Sequence, residues 1–358
     1  MQTHSNFRLL VVRLGAMGDI LHALPAVTAL RQAHPDWVIG WVVEPCWQAL
    51  LAAEGSAGRQ PARNSTQPLV DRLHFAATKE WRKSPFSRQT LHEFTALRAA
   101  LRAGEYDAVI DLQGAIRSAV VARLAGCRRL IGEAEPRERA ARWLFSERIA
   151  THGVHVIEQD IEVASAIAGD ALTPVSPWLP VDPAAERWAD EILPPASGQP
   201  AVLITPGAGW GAKRWPVERY AVVAQSLIAR GFRVLINVGP GEAPLAELIA
   251  SQTGGAATPL ACTLPQLIAL TRRVSLAIAG DTGPLHLACA LGRPVVGIYG
   301  PTDPSRNGPF GTQFKVLRSP ESRRDHTRRA TPESGLLTIQ PDDVLRAADA
   351  LLYPETAS

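Results

Sequence analysis

The chain has 358 residues, 46% hydrophobic and 20% charged, with a formal net charge of +3. That length exceeds one ordinary core and predicts two domains of a soluble globular protein. The small net charge and the lack of aromatic–basic interleaving exclude a typical nucleic-acid protein, and no run of about 18 uncharged apolar residues can span a bilayer.

The start, MQTHSNFRLL, lacks the charged opening and apolar stretch of a signal peptide, which predicts a cytoplasmic location. The apolar run Leu9–Val12 reads as a buried strand that breaks at Gly15 and Gly18 and hands over to a helix reaching about Arg31. Next come strand Trp37–Val43, a helical stretch near Trp47–Ala53, strand Leu73–Phe75, helix Gln89–Ala103 and strand Ala108–Leu112. Helix Ala115–Ala125, strand Arg129–Ile131 and helix His155–Ala168 complete the first half. The proline-rich stretch Asp170–Gln199 reads as a connection holding one short helix, Ala184–Ile192.

The grammar then restarts. Strands Ala201–Thr205, Val234–Val238, Pro259–Ala261, Leu276–Ala279 and Val295–Tyr299 alternate with helices Val217–Ala229, Pro244–Ser251, Leu264–Thr271 and Pro284–Ala290. A last helix, Pro341–Leu352, has an apolar face that must pack on one of the domains. Apolar strands alternating with helices imply α/β architecture, with parallel sheets covered on both faces and ligands at the strands' carboxyl ends. The expected division is 1–178, 179–340 and the helical tail 341–358. The four cysteines, at 46, 127, 262 and 289, show no CxxC spacing, so reduced thiols and no metal cluster are expected.

Four strand-to-helix turns are rich in glycine: Gly15–Asp19, Pro206–Lys213, Gly239–Glu242 and Gly280–Gly283. Glycine lets backbone amides approach a ligand, and amides at a helix start attract phosphate. Asp19 reads equally as a helix cap, a ligand for a cofactor or a catalytic base. Asp281 precedes a Pro-bearing first turn, so N-cap and functional roles weigh about evenly. Thr282 and Gly283 supply a hydroxyl and an open amide for a phosphate oxygen, while His286 alone reads first as a core histidine. Lys213 is either a solvated lysine or a cation for a leaving phosphate, and flanking tryptophans weaken the solvated reading. Glu44 mimics the acid that grips a ribose, but no G-x-G-x-x-G accompanies it, so a dehydrogenase ranks low.

Taken together, "RLGAMGDILHALPAV", "PGAGWGAKRWP" and "GDTGPLHLACALGRPVVGIYGPTDP" resemble the ADP-heptose:lipopolysaccharide heptosyltransferases, glycosyltransferase family 9. The likeness covers nearly the whole chain. The segment from "EWRKSPFSRQ" to "VVARLAG" looks most like the heptosyltransferase I subgroup, which adds the first heptose to the Kdo of the inner core. The resemblance implies a GT-B fold, two Rossmann-like domains facing a central cleft, with nucleotide sugar on the C-terminal domain and acceptor on the N-terminal one. It implies an inverting, metal-independent transfer of L-glycero-D-manno-heptose from ADP-heptose, with no cofactor. Asp19 then matches the base, with His22 one turn on to orient it, and Lys213 matches the lysine on the donor phosphates. Gly18, Gly209, Glu242, Asp281, Thr282, Gly283 and His286 fall on the donor-binding turns, Glu242 at the ribose. Ala208 and Gly209 stand where the heptosyltransferase I pattern has hydroxyl residues, which leaves the donor contacts there to backbone amides.

Arginine is concentrated at 59–63, 81–88, 128–142 and 323–329. The implied acceptor, Kdo-lipid A, is anionic, so Arg59, Arg63 and Arg117 are acceptor candidates together with His22, with Arg137 and Arg139 in a further polar loop. Its lipid implies peripheral contact with the cytoplasmic face of the inner membrane. The alternatives are a family member with another acceptor (a second heptose or a protein) and a non-catalytic nucleotide-sugar binder.

Overall fold

The computed structural model describes residues 6–55, 63–325 and 329–353. Its contacts divide the chain into two compact units, Met1–Val181 and Asp182–Ser358.

The first unit runs β1 (Arg8–Val12), α1 (Met17–Ala33), β2 (Val38–Val43), β3 (Arg72–Phe75), α2 (Thr78–Lys83) and α3 (Arg88–Ala103). It continues through β4 (Ala108–Asp111), α4 (Ile116–Arg123), β5 (Arg129–Glu133), β6 (Glu147–Ile149) and α5 (Val156–Ala168). Its sheet has the order β3-β2-β1-β4-β5-β6, and every neighbouring pair is parallel. Leu9, Leu10, Val11 and Val12 of the central β1 are wholly buried. Both faces of that strand are covered, which is why it reads as a continuous apolar run rather than an alternating one.

In the second unit α6 (Pro183–Ile192) precedes β7 (Ala201–Thr205), α7 (Val217–Ala229), β8 (Arg233–Asn237), α8 (Ala243–Gln252) and β9 (Thr258–Leu260). Then follow α9 (Leu264–Thr271), β10 (Leu276–Gly280), α10 (Gly283–Ala290), β11 (Val295–Tyr299), α11 (Pro304–Asn307), β12 (Phe314–Arg318) and α12 (Pro341–Leu352). The strand order β12-β11-β10-β7-β8-β9 is that of the first sheet, and all pairs are again parallel. The amphipathic α12 buries Val344, Leu345, Ala348 and Leu351 in the core of this unit. Asp182 caps α6 by accepting from Ala184 N–H, and Ala185 and Ala189 let the helix pack closely on Ala269 of α9.

The expected elements are present, and among the strands and α-helices of the described residues there are four additions: α2, β6, α11 and β12. Each is short or lies at an edge. Three-residue β6 and half-exposed β12 lack the long apolar signature of a buried strand. The stretch expected as a helix near Trp47 is a 3-10 helix, Pro45–Leu50.

In each sheet the strand order reverses between the two central strands, β1 and β4 in the first and β7 and β10 in the second. Loops leaving such neighbouring strands in opposite directions open a crevice at the carboxyl ends. Val12 lies beside Asp111 in the first sheet, and Thr205 beside Ala279 in the second. The glycine-rich turns after β1, β7 and β10 therefore all start at these crevices.

One contact fixes how β2 meets its covering layer. A Cβ on Gly40 would stand 2.1 Å from Tyr106 Oη, and that oxygen is 2.6 Å from His74 Nε2. The Gly40→Ala variant displaces this buried pair and costs about 1–3 kcal/mol through overpacking. Urea unfolding reads it as a lower midpoint; an unchanged midpoint would mean that the ring moves aside freely.

Candidate functional site

In the first unit the turn after β1 is held on all sides. Arg13 O accepts from Trp41 Nε1 at 3.1 Å, Leu14 O accepts from Glu44 N–H at 3.0 Å, and Leu14 N–H donates to Gln113 Oε1 at 2.8 Å. Gly15 has φ +154°, and a Cβ there would lie 2.7 Å from Trp47 Nε1, so the indole requires glycine. Ala16 takes the N-cap place of α1, which puts Gly18 and Asp19 in the first turn. Asp19 is not the N-cap. Its Oδ2 accepts from Ala16 N–H at 3.1 Å, and Oδ1 is 3.6 Å from Arg13 Nη2. Arg13 Nε also donates to the main-chain oxygen of Asp19 at 3.1 Å, a second tether from one buried guanidinium. The Asp19 side chain remains 30% exposed, with lone pairs left to accept a further proton donor.

Behind Asp19 lie two carboxylates that the sequence did not single out, and the predicted His22. Asp111, at the end of β4, is buried and accepts from Gln113 N–H, Gly114 N–H and Ser118 Oγ. Burial pushes its carboxyl up to about 6 against those hydrogen bonds. Asp160 of α5 is buried, and its Oδ2 has no hydrogen-bond partner among the described residues. Burial pushes it up to about 8, opposed by the charge of Arg13 and reinforced by Glu133, Asp19 and Asp111. His22 is buried with its ring edge-on to His155, centroids 5.5 Å apart. His155 in turn caps α5, its Nδ1 accepting from Ile157 N–H at 3.1 Å. An isolated aspartate on an apolar helix face was the only signal Asp160 gave in sequence.

Glu44 is spent on structure. Its Oε1 accepts from Thr78 Oγ1 at 2.5 Å and from Lys79 N–H at 3.3 Å, which holds the start of α2. The Lys79 ammonium lies 5.8 Å from the centre of the Trp47 ring, close to the Gly15 turn, a cation that sequence reading missed.

The arginine candidates separate. Arg59 lies outside the described residues. Arg63 donates to Pro35 O at 2.6 Å and stands 3.8 Å from Asp71 Oδ1, so much of its capacity is committed. Arg117 is exposed in the first turn of α4. The polar loop docks on the same turn: Glu138 N–H donates to Gly114 O, and Ile116 N–H to Glu138 Oε2. Exposed Arg137 and Arg139 are thereby carried to the end of the unit where Arg117 stands.

In the second unit Lys213 and Asp281 form a nearly buried ion pair, with side chains 12% and 9% exposed. Asp281 Oδ1 is also 3.2 Å from His286 Nε2. Burial disfavours the ionised Asp281, but the hydrogen bond and charge of His286, with the Lys213 ammonium, outweigh it and hold the carboxyl well below the usual range. The Lys213 Nζ also lies 4.4 Å above the Trp210 ring, a cation–π contact. Lys213 is therefore no solvated lysine, and Asp281 is no N-cap. Thr282 holds the N-cap place of α10 while its Oγ1 donates to Gly280 O at 3.2 Å, and Gly283 opens the helix. Glu242 Oε2 accepts from Gly239 N–H at 3.1 Å, and Oε1 is 3.7 Å from Arg214 Nη2. A Cβ on Gly207 would strike Glu242 Oε2 at 2.0 Å, so these two glycine-rich turns interlock. Gly209 is exposed with open space around it.

The raised Asp160 and Asp111 have a consequence for stability. Each holds its proton more tightly folded than unfolded, so their contribution is complete at acid pH and is lost as pH rises from about 4. For Asp160 the loss continues to about pH 8. The Asp160→Asn variant keeps the shape but has no charge to bury, so its urea midpoint falls less than that of the parent between pH 5 and pH 8, about 1–3 kcal/mol of difference. Parallel pH profiles for the two proteins would refute a buried, ionising Asp160.

Comparison with known proteins places the chain in a family. The profile of glycosyltransferase family 9 (heptosyltransferase) matches residues 94–336. Lipopolysaccharide heptosyltransferase 1 of Escherichia coli K12 is 30% identical over 322 residues, covering 87% of this chain and 94% of that protein. The solved structure of E. coli heptosyltransferase WaaC with ADP superposes with a TM-score of 0.78 at 28% identity, over 96% of this chain and 100% of that one. The WaaC structure with ADP-2-deoxy-2-fluoro heptose gives 0.75 at 28% identity, over 96% and 99%. With its two Rossmann-like units of the GT-B fold, the chain belongs to glycosyltransferase family 9, the heptosyltransferases.

Proposed function

We propose that this protein transfers L-glycero-D-manno-heptose from ADP-heptose to the Kdo of the lipopolysaccharide inner core, with inversion at the anomeric carbon. The observation that carries the reading is the state of Asp19: tethered by Ala16 N–H and Arg13, yet still open to a hydroxyl donor. A nucleotide-sugar binder has no use for a carboxylate held this way. Asp19 accepts the proton of the Kdo hydroxyl as its oxygen attacks the anomeric carbon, and the bond to ADP breaks in the same displacement. The proton ends on Asp19, and the electron pair leaves with the diphosphate.

The donor belongs to the second unit in this reading. Lys213 meets the charge that grows on the departing diphosphate, a role that needs no metal ion. The amides around Gly209 and Gly283 and the Thr282 hydroxyl serve the phosphate oxygens, and Glu242 serves the ribose. Asp281 acts through its neighbours: a bare carboxylate beside a diphosphate repels it, whereas one paired with Lys213 and hydrogen-bonded to His286 orients both. Gly18 lets the chain approach the sugar, and His22 supports the turn of Asp19. Arg59 and Arg117 meet the carboxylates and phosphates of Kdo-lipid A, while Arg63, held by Pro35 and Asp71, has less capacity left for them. Among the described residues no helix is long and apolar enough to cross a membrane. A lipid-linked acceptor places the enzyme at the cytoplasmic face of the inner membrane as a peripheral protein.

Incubation with ADP-heptose and Kdo-lipid A adds the mass of one heptose. Gain only on an acceptor that already carries heptose, or only on a protein, would move the assignment to another subgroup. The Asp19→Asn variant keeps ADP affinity by calorimetry while turnover falls about 10²–10⁴-fold, the usual worth of a general base. Near-normal transfer by that variant would end the base assignment. The Lys213→Ala variant loses one charge-assisted contact, so ADP binds about 10- to 100-fold more weakly; unchanged affinity would remove Lys213 from the phosphates.

A further inference from the structure

The first unit has an open groove of about 440 Å³ between α3, α4 and the 3-10 helix Arg139–Leu144. Its floor is apolar: Phe94 from α3, Val120 and Leu124 from α4 and its end, and Leu144. Its rim is cationic: Arg98 and Arg102, one helical turn apart on α3, and Arg123 at the last position of α4. Among the described residues none of these three guanidiniums forms an ion pair, whereas Arg129 nearby is paired with Glu147 and Arg273 of the second unit with Glu186.

The surface continues beyond the groove. Trp143 is 67% exposed, and the guanidiniums of Arg142 and Arg148 lie 4.8 and 5.4 Å from its ring. Ile116 and Val120, one turn apart on α4, are 44% and 43% exposed. Apolar surface left in water is unfavourable in proportion to its area, and a fringe of unpaired like charges adds mutual repulsion. Both terms change sign against phosphates spread over hydrocarbon, and tryptophan prefers the boundary between the two.

We propose that this groove, its three arginines and Trp143 form the face by which the first unit sits on an anionic phospholipid bilayer. The arginines meet headgroup phosphates, Trp143 lies at headgroup depth, and the apolar floor takes methylene groups from the lipid. The proposal rests on the heptosyltransferase reading only in that a lipid-linked acceptor gives the enzyme a reason to be there.

Co-flotation with vesicles tests it apart from catalysis. The full-length protein binds phosphatidylglycerol vesicles, releases them at high salt, and binds phosphatidylcholine vesicles weakly. Each basic residue near such a surface is worth about fivefold in affinity, so the R98E/R102E/R123E variant binds about a hundredfold more weakly or worse. These side chains are exposed, so far-ultraviolet circular dichroism and ADP affinity stay those of the parent. A Trp143→Ser variant weakens binding to phosphatidylglycerol without changing its salt dependence, and Trp143 fluorescence shifts to the blue on binding in the parent. Equal binding by parent and triple variant, or no preference for the anionic lipid, overturns the proposal. Turnover on a deacylated Kdo acceptor is read in parallel. If it is absent while vesicle binding follows the arginines, the transferase reading fails and the docking face stands.

Discussion

A cation withdrawn from water has to be met by opposite charge, and each unit is organised around one such cation at its switch point. Arg13 follows β1 directly, is buried, and engages the side chain and main chain of Asp19. Lys213 follows β7 by one turn and is closed in by Asp281 and the Trp210 ring. Removing one partner from such a pair leaves an uncompensated charge and costs about 3–5 kcal/mol where burial is complete. That penalty makes the positions of the site carboxylates a property of the fold rather than of loop chance. Asp19 is anchored from beneath by Arg13, and Asp281 is pinned between Lys213 and His286.

The two sheets share one strand order, yet their switch points have been filled with different chemistry. In the first, the turn after β4 is closed by its own side chains, with Asp111 taking two backbone N–H groups and a serine hydroxyl. Gly114, at φ +62°, lets the chain reverse there while the loop at Arg137 presses close. In the second, the turns after β7, β8 and β10 are rich in glycine, and exposed Gly209 and half-buried Gly283 leave backbone open at two of them. Glu242 is inserted among them, and it fits because Gly207 has no Cβ.

The periodic signal of buried parallel strands made the architecture readable. Leu9–Val12, Ala201–Thr205 and Val295–Tyr299 are covered on both faces and stand out as apolar runs. Elements stabilised by single contacts left no such trace. The helix α2 depends on Glu44 accepting from Thr78 and Lys79, a pairing more than thirty residues apart. The site residues that follow glycine turns were legible because turn chemistry is local. Trp47 and Asp160 were not, since each acts on the turn through packing of segments distant in sequence. Arg63 illustrates the converse: a loop arginine that looked free is largely engaged by Pro35 and Asp71.

Electrostatics also favours a particular division of labour between the units. The switch point of the first gathers Asp19, Asp111 and Asp160 around the single guanidinium of Arg13. Even with the buried pair protonated, a diphosphate brought there meets a resident anion whose one cation is already engaged. A neutral hydroxyl meets instead an acceptor that is tethered and solvent-accessible. In the second unit Asp281 is already paired with Lys213 and hydrogen-bonded to His286, and the other acid of these turns, Glu242, lies beside Arg214. In the proposed reading a doubly charged leaving group is stabilised there by the lysine and the open backbone, at sites where a proton-accepting base would have its charge quenched. A base must keep its lone pair free and a diphosphate must have its charge met, so one switch point cannot be optimal for both. Two copies of the same fold, one loaded with carboxylates and one with amides and a lysine, resolve that conflict.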